Sequence, residues 1–487
     1  MRTRRFAIAA GLLALAACNF DILNTNQPTQ GDLLSNPTRG KLTAAATGVM
    51  SSSRTGMVSF IWRLGSMGRE GINLSGNNQP DYSEPYFGPV QAGGSFGGLQ
   101  WLDRYQSIRT ANLYLQALAN NVNLSGPDLL SDAERAASRG MANTYKALAF
   151  LYVIETRAQL GAPVSVETSV DSGPAPWVTE DSVYGYIVGL LDSAATDLAA
   201  AGSTAFPFSI PPGLAAFTTP ANFIKFNRAL AAKANVLRAT ALNGCHGAPG
   251  TCYTAALTAL GQSFLSTAPA AFQTGANLDF STAPGDQTND LSEPLDGSTF
   301  FALTDNIADA ETQTTGAKDE RVLTKIDSAT VVQRLGGISI PGELKFTVFF
   351  SNGTADANHP IPIIKDEELL LLRSEASWFT GAQAQAIADL NLVRQNSGLL
   401  PPTTVTPVST NAAFITALLY ERRYSLLWEQ GTRWIDARRF GLLSTIPPDV
   451  VDGNVPDVMP VPITECDARS LPTKTIGDVV TCTPLSP

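Results

Sequence analysis

Apolar residues return every three or four positions through most of this chain. Tyr105, Ile108, Ala111, Leu115 and Leu118 keep that step, as do Met141, Tyr145, Leu148 and Tyr152, and then Val183, Ile187, Leu191, Ala194 and Leu198. A 3.6-residue period gathers each set on one face of a helix. Further helices are predicted over about 221–242, where ALAAKANVLRATAL is alanine-rich enough for close backbone approach, and over about 253–265, 365–380, 384–397, 411–429 and 432–441. Gly161, Gly244, Gly381, Gly398 and Gly431 punctuate them, as glycines do at helix ends. Short connections between amphipathic helices lead to antiparallel pairs packed side by side, although no strict 34-residue repeat is visible. The expected fold is all-α.

Two stretches depart from this grammar. Residues 63–100 are rich in Gly, Asn, Ser and aromatics, and residues 266–364 are polar and irregular apart from a strand-like KFTVFF at 345–350. Long irregular segments in compact proteins are usually functional or mobile, so ligand contacts are sought there.

The N-terminus reads as a processing signal. Arg2, Arg4 and Arg5 precede FAIAAGLLALAA, an apolar run too short to span a bilayer as mature structure, so residues 1–17 are expected to be an export signal. Leu15, Ala16, Ala17 and Cys18 resemble a bacterial lipobox, which makes Cys18 the lipidated first residue of the mature chain. Residues 18–40, without periodicity, read as a tether. The four other cysteines form two local couples: Cys245 and Cys252 bracket HGAPGT, and Cys466 and Cys482 bracket the C-terminal stretch. Both couples are expected to be disulfides, one sealing a turn between helices and the other stapling the C-terminus. A metal site on His246 would lack a second ligand pair.

Composition narrows the classes. Of 487 residues, 44% are hydrophobic and 16% charged, which excludes disorder, collagen and coiled coil. The net charge of −10 argues against nucleic acid and anionic lipid surfaces as partners. With only His246 and His359, and no HExxH, Walker A or GxSxG pattern, metalloprotease, nucleotide and α/β-hydrolase chemistry have no footing. No cofactor or metal is expected, and a binding protein leads.

Three segments then carry a family resemblance: KDEELLLLRSEASWFTG (365–381), DLNLVRQNSGL (389–399) and YERRYSLLWEQGTRWIDARRFG (420–441) look like the C-terminal block of SusD/RagB outer-membrane lipoproteins, and MPVP (459–462) resembles the segment before that family's C-terminal end. FDILNTNQPT after Cys18, WLDRYQSIRTANLYL (101–115) and LGAPV (160–164) match the same family. The resemblance implies an all-α fold of stacked tetratricopeptide-like helix pairs with a long irregular insertion. It also implies a surface-exposed, lipid-anchored, non-enzymatic subunit of the outer membrane. Such a subunit captures a nutrient, most often an oligosaccharide, as the lid of a SusC-like TonB-dependent transporter. The organisation that follows is a signal (1–17), a lipidated tether (18–40) and a helical body (41–265) with a loop-rich 63–100. An irregular insertion (266–364) and a C-terminal block (365–487) packing back on the body complete it.

The charges of that block admit a purely structural reading. Glu421 and Glu429 lie among Arg422, Arg423, Arg433, Asp436, Arg438 and Arg439, beside Trp428 and Trp434, as ion pairs on packed helices would. Eight residues of helix separate the two glutamates by about 12 Å, beyond the spacing of a glycosidase acid/base pair. Asp366, Glu367 and Glu368 suit a helix N-terminus.

Sugar recognition needs flat aromatic faces beside planar polar groups. Residues 63–100 supply Tyr82, Tyr86 and Phe87 next to Arg69, Asn73, Asn77, Asn78 and Asp81; Phe300 and Phe301, near Asp296 and Asp305, form a second cluster. Trp101 is read first as core packing and second as a stacking surface. For both clusters the bland reading is that aromatics anchor loops to the body. Two other functions are weighed: a glycan-degrading enzyme using Asp279, Asp286, Asp290, Glu293 and Asp296, and a periplasmic tetratricopeptide-like assembly protein.

Overall fold

Most of the long helices start at a cap that the sequence supplies. Thr38, Thr179, Thr219 and Thr410 each accept a backbone N–H of the first turn, and Ser131 with Glu134 forms a reciprocal capping box. The computed structural model describes residues 29–485 except 77–78, 168–169, 336–338 and 452. The expected signal peptide, Cys18, the tether up to residue 28, Asn77 and Asn78 lie outside the described residues.

Among the described residues the main helices before the insertion are α1 (Gln30–Ser35), α2 (Arg39–Ser52), α3 (Met57–Met67), α4 (Pro80–Phe87), α5 (Leu99–Asn120), α6 (Asp132–Arg157), α7 (Glu180–Ala200), α8 (Pro220–Ala239) and α9 (Pro249–Gly261). The main helices after it are α10 (Asp366–Phe379), α11 (Gln383–Ser397), α12 (Asn411–Ser425) and α13 (Thr432–Arg439). Packing runs in chain order: α2 on α5, α5 on α6, α6 on α7, α7 on α8, α8 on α9, α9 on α10 and α10 on α11. This is the serial stacking expected of an all-α helix-pair array. Residues 30–40, read as the end of a tether, are instead folded from Gln30 onward; Asn120 of α5 donates to Leu34 O at 3.0 Å.

Helices α1 to α4 fall outside the predicted set. The α2 segment RGKLTAAATGVMSS is built of small residues that carry almost no apolar period, whereas α3, MVSFIWRLGSM, buries nine of its residues but runs into the Gly- and aromatic-rich stretch from residue 63.

The insertion is less irregular than its sequence. Strands β1 (Gly71–Asn73), β2 (Phe300–Ala302), β3 (Ile326–Gln333) and β4 (Gly342–Phe346) form an antiparallel sheet in the order β1-β2-β4-β3. The predicted strand at 345–350 is β4, shifted back because the chain turns after Phe346. Gly275–Leu278 pairs with Ile361–Lys365, so the insertion leaves and re-enters the helical body through one closed neck. Both cysteine couples are joined, with Cα–Cα distances of 6.0 and 5.8 Å.

Trp428 fixes the sheet to the helices. Its backbone is left-handed (φ 61°), its N–H donates to Glu70 at 3.0 Å, and its ring lies flat on Phe346 at 4.0 Å between centroids. Gly65 and Gly71 make room for the indole: a Cβ on either would sit 2.5 and 2.7 Å from Trp428 ring carbons.

Around this contact the C-terminal block buries a chain of ion pairs. Glu421 lies between Arg321 (2.6 Å) and Arg394 (2.9 Å), Glu429 between Lys325 (2.9 Å) and Lys365 (2.8 Å), and Asp436 between Arg422 (2.6 Å) and Arg439 (2.8 Å). The structural reading of Glu421 and Glu429 therefore holds. The N-terminal acids of α10 differ from simple capping. Glu367 and Glu368 face Lys365 and Lys233 at 3.6 and 3.3 Å, while Asp366 accepts Ser266 N–H at 2.6 Å through one oxygen and has no partner on the other.

Burial pushes the Asp366 carboxyl up to about 7. A carboxyl raised in the folded state contributes stability that is complete below about pH 4 and is lost as the pH rises through 7. Asp366→Asn is expected to be more stable than the parent at pH 8, with the gain shrinking to nothing near pH 4, in urea unfolding across that range. A difference independent of pH would assign the titration to another group.

Candidate functional site

The structure brings the two unmatched segments together, but through their backbones. In the β1–β2 ladder Asn73 sits opposite Phe300 and Ile72 opposite Phe301. Phe301 is fully buried with Lys345 Nζ 4.3 Å above its ring; Phe300 is buried against Trp62 and Trp428. Neither can stack on a ligand. Asn73 is buried and turns its side-chain oxygen to Ser75 N–H at 3.0 Å.

Arg69 and Tyr86 are also corrected from ligand contacts to core. Arg69 is 1% exposed, donates to Asn454 O and Ser66 O at 2.8 Å each, and lies 4.2 Å over the Tyr86 ring. Tyr86 is fully buried, its hydroxyl donating to Gly71 O at 2.9 Å, and burial holds its pKa well above the usual phenol value. A lone aromatic–arginine pair reads the same in a sequence whether it faces solvent or core. Here it closes the cluster of Ile72, Tyr86, Phe301 and Val450.

What stays at the surface is smaller. Phe87, next in sequence to Tyr86 but on the opposite side of α4, is 43% exposed; Asp81 and Tyr82 are half-buried, with Tyr82 leaning on Tyr86's cluster. Trp101 is buried, as its first reading held, and stacks face to face on Trp177 at 5.5 Å and against Tyr105 at 4.4 Å.

Beside this aromatic ladder opens a cavity of about 600 Å³ lined by Ser95, Leu99, Trp101, Leu102, Tyr105 and Glu465 among others. Gly93, Gly94 and Gly98 of the loop before α5 bring the backbone close on one side, and Pro462 and Thr464 form the other. Leu99 and Leu102 are 48% and 51% exposed at its rim. The Tyr105 hydroxyl is spent on Pro163 O at 2.7 Å and the Trp177 N–H on Leu160 O at 2.6 Å, so the rings are held rigid. Rigid ring faces beside carboxylate and hydroxyl groups are what a sugar ring requires. Trp177 and Glu465 were missed from sequence. A tryptophan inside the polar stretch SGPAPWVTED was a signal for the first, while Glu465 joins through tertiary structure alone.

Four of the five acids weighed as catalytic are held in hydrogen bonds or ion pairs. Asp279 accepts Gly213 N–H at 2.8 Å, Asp286 pairs with Arg54, Asp290 accepts the Thr288 hydroxyl at 2.6 Å, and Glu293 pairs with Lys345 while accepting Phe300 N–H at 2.9 Å. Asp296 is exposed. Among the described residues no group of three or more His, Cys, Asp or Glu could hold a metal ion; His246 lies 3.3 Å from Asp181 alone.

Residues 343–473 match the SusD family model. Solved structures share the fold over most of the chain. A SusD superfamily protein from Parabacteroides distasonis is 15% identical with a TM-score of 0.63, covering 87% of this chain and 97% of its own. A laminarin-binding SusD-like protein is 17% identical with a TM-score of 0.61, covering 88% and 97%. NanU of Bacteroides fragilis is 15% identical with a TM-score of 0.58, covering 91% and 97%. No curated protein matches the chain.

The adjacent residues of α4 separate core from surface. Tyr86→Ala removes a buried ring, its hydrogen bond and the cover of Arg69, and is expected to cost about 3–5 kcal/mol in chemical denaturation. Phe87→Ala should stay within about 0.5 kcal/mol of the parent. Equal losses would show that Phe87, too, anchors the loop.

Proposed function

We propose that this chain, a SusD/RagB-type protein in its C-terminal block and in its fold, is a surface-exposed, non-catalytic lipoprotein. It binds glycan and acts as the lid of a SusC-like TonB-dependent outer-membrane transporter. The observation that carries the reading is a coincidence of two matches. The family block at 343–473 sits in a chain whose whole architecture superimposes on SusD superfamily structures, among them a laminarin-binding one.

The geometry supports each part. The cavity offers the half-buried Tyr105 ring, the exposed Leu99 and Leu102 and a carboxylate at Glu465, beside the buried Trp101, within a volume suited to one or two sugar rings. Phe87, on the same helix as Asp81 and Tyr82, is a separate exposed aromatic. The binding reading is favoured over glycan cleavage because Glu421, Glu429 and Glu293, three of the acids weighed for catalysis, are each paired with cations. Paired carboxylates are poorly disposed to donate or accept a proton at neutral pH. Among the described residues no helix is long and apolar enough to cross a membrane. Membrane attachment is accordingly assigned to the lipid on Cys18, and uptake to a partner barrel, since a ligand held outside the cell must still pass inward.

Titration of the purified chain with soluble polysaccharides, beginning with laminarin, tests the binding step. Saturable binding without release of reducing ends is expected, weakened severalfold by Phe87→Ala or Leu102→Ala without a fall in Tm. Depolymerisation of any substrate, abolished by an acid substitution, would overturn the reading. In cells, Cys18→Ser should move the protein from the membrane to the soluble fraction still folded, and mild-detergent extraction of the parent should bring down a large β-barrel protein. Retention of the variant in membranes would point to another anchor.

A further inference from the structure

The last turns of α12, α13 and residues 442–447 enclose a second cleft of about 440 Å³ that shares no lining residue with the aromatic cavity. Its chemistry is unlike the rest of the block. Arg422 and Arg423 hold Asp436 (2.6 Å) and Asp309 (2.8 Å), Arg439 holds Glu375 (2.5 Å), and Arg438 is capped by the Asp457 and Glu155 carbonyl oxygens at 3.4 and 2.6 Å. Arg433, which lines the cleft, has no such satisfaction. Its Nη1 donates to Arg69 O at 2.8 Å, and Glu70 accepts its backbone N–H at 3.3 Å rather than its guanidinium. Among the described residues the guanidinium forms no ion pair.

The two carboxylates that line the cleft cannot supply one. Asp436 is shared by Arg422 and Arg439, and Asp309 is taken by Arg423. Arg423 and Arg433 instead repel each other. Burial, with that like charge, lowers Arg433 to about 10, which leaves it charged at neutral pH. Glu70 and Asp309 attract Arg433 without pairing with its guanidinium, which leaves the half-buried cation at the cleft wall open to a further anion. The remaining wall is apolar and hydroxylated: Leu442, Ile446 and Pro447 stand opposite, with Thr445 at the edge.

We propose that this cleft binds a small carboxylate-bearing molecule, its carboxylate on the Arg433 guanidinium and its carbon body against Leu442 and Ile446. A uronic acid sugar and a simple organic acid share that chemistry, and planar guanidinium–carboxylate pairing selects it over neutral sugars. The inference rests on the cleft's charges and stands apart from the glycan reading.

D-glucuronate and D-glucose, which differ in the carboxylate, are the probes, in calorimetric titrations of the full mature chain at pH 7 and low salt. Saturable binding of glucuronate, at least tenfold tighter than glucose and weakened by added salt, is expected. Arg433→Gln should lose at least tenfold of that affinity and Arg433→Lys less. Leu442→Glu, which leaves Arg433 in place but adds a negative charge at a half-buried wall position, should lose binding with Tm unchanged and serves if Arg433→Gln does not fold. Simple organic acids are tested with propionate; binding of propionate as tight as glucuronate would place the recognition in the carboxylate alone and still support the site. Absence of glucuronate binding to the parent, equal affinity for glucose, or full binding by a folded Arg433→Gln or Leu442→Glu variant overturns the proposal.

Discussion

Charge neutrality inside the C-terminal block is the constraint on which the rest of this structure depends. Glu421, Glu429, Glu375 and Asp436 are all buried, and a buried carboxylate without a cation costs far more than a pair contributes. Two of the cations come from outside the block and the others from its own segments. Arg321 and Lys325 stand on the short helix Glu320–Lys325 of the insertion, Arg394 on α11, and Lys365 on the strand that closes the neck. The insertion is thus bolted to α12 and to the turn that follows it by two ion pairs as well as by Trp428. Loss of one partner at such a pair costs on the order of 3–5 kcal/mol, a large part of the net stability of a domain.

The same rule separates recognition from scaffolding. Aromatic and arginine side chains are abundant near the sheet, yet most are consumed in pairing: Arg69 over Tyr86, Lys345 over Phe301, Phe346 on Trp428. The surfaces proposed for binding lie where pairing stops: Leu99 and Leu102 beside the Trp101–Tyr105 ladder, Phe87 on its own helix, and Arg433. A surface so sparsely furnished suits shallow, adaptable contact with polymers more than enclosure of a reacting group.

Amphipathic helices were legible because their period is written in side chains; α5 to α13 follow it to within a few residues at their N-terminal or C-terminal ends. Helix α3 was not, since its second half lies in the Gly- and aromatic-rich stretch that reads as irregular. The sheet was illegible for a different reason: β1 and β2 have three residues each, too few to alternate, and are joined across almost half of the chain. Of the candidate site, the right segment was visible but not the right residues. Tyr86 and Phe87 are neighbours with the same composition signal, and only the phase of a two-turn helix containing Pro85 decides which of them faces water. Glu465 reaches the cavity, and Trp177 the ring behind it, from positions far away in sequence.

The closures that complete the molecule span almost its whole length. Trp428 N–H reaches Glu70 across 358 positions, Arg69 reaches the Asn454 carbonyl across 385, and the C-terminal strand Val479–Thr481 lies parallel to Val90–Gln91. Contacts so distant cannot form on a partly emerged chain, and their loop-closure entropy makes the final assembly slow. The N-terminal portion of the polypeptide therefore lacks its sheet clamp and its tail strand until the last residues are released, so the fold is completed only on the finished chain.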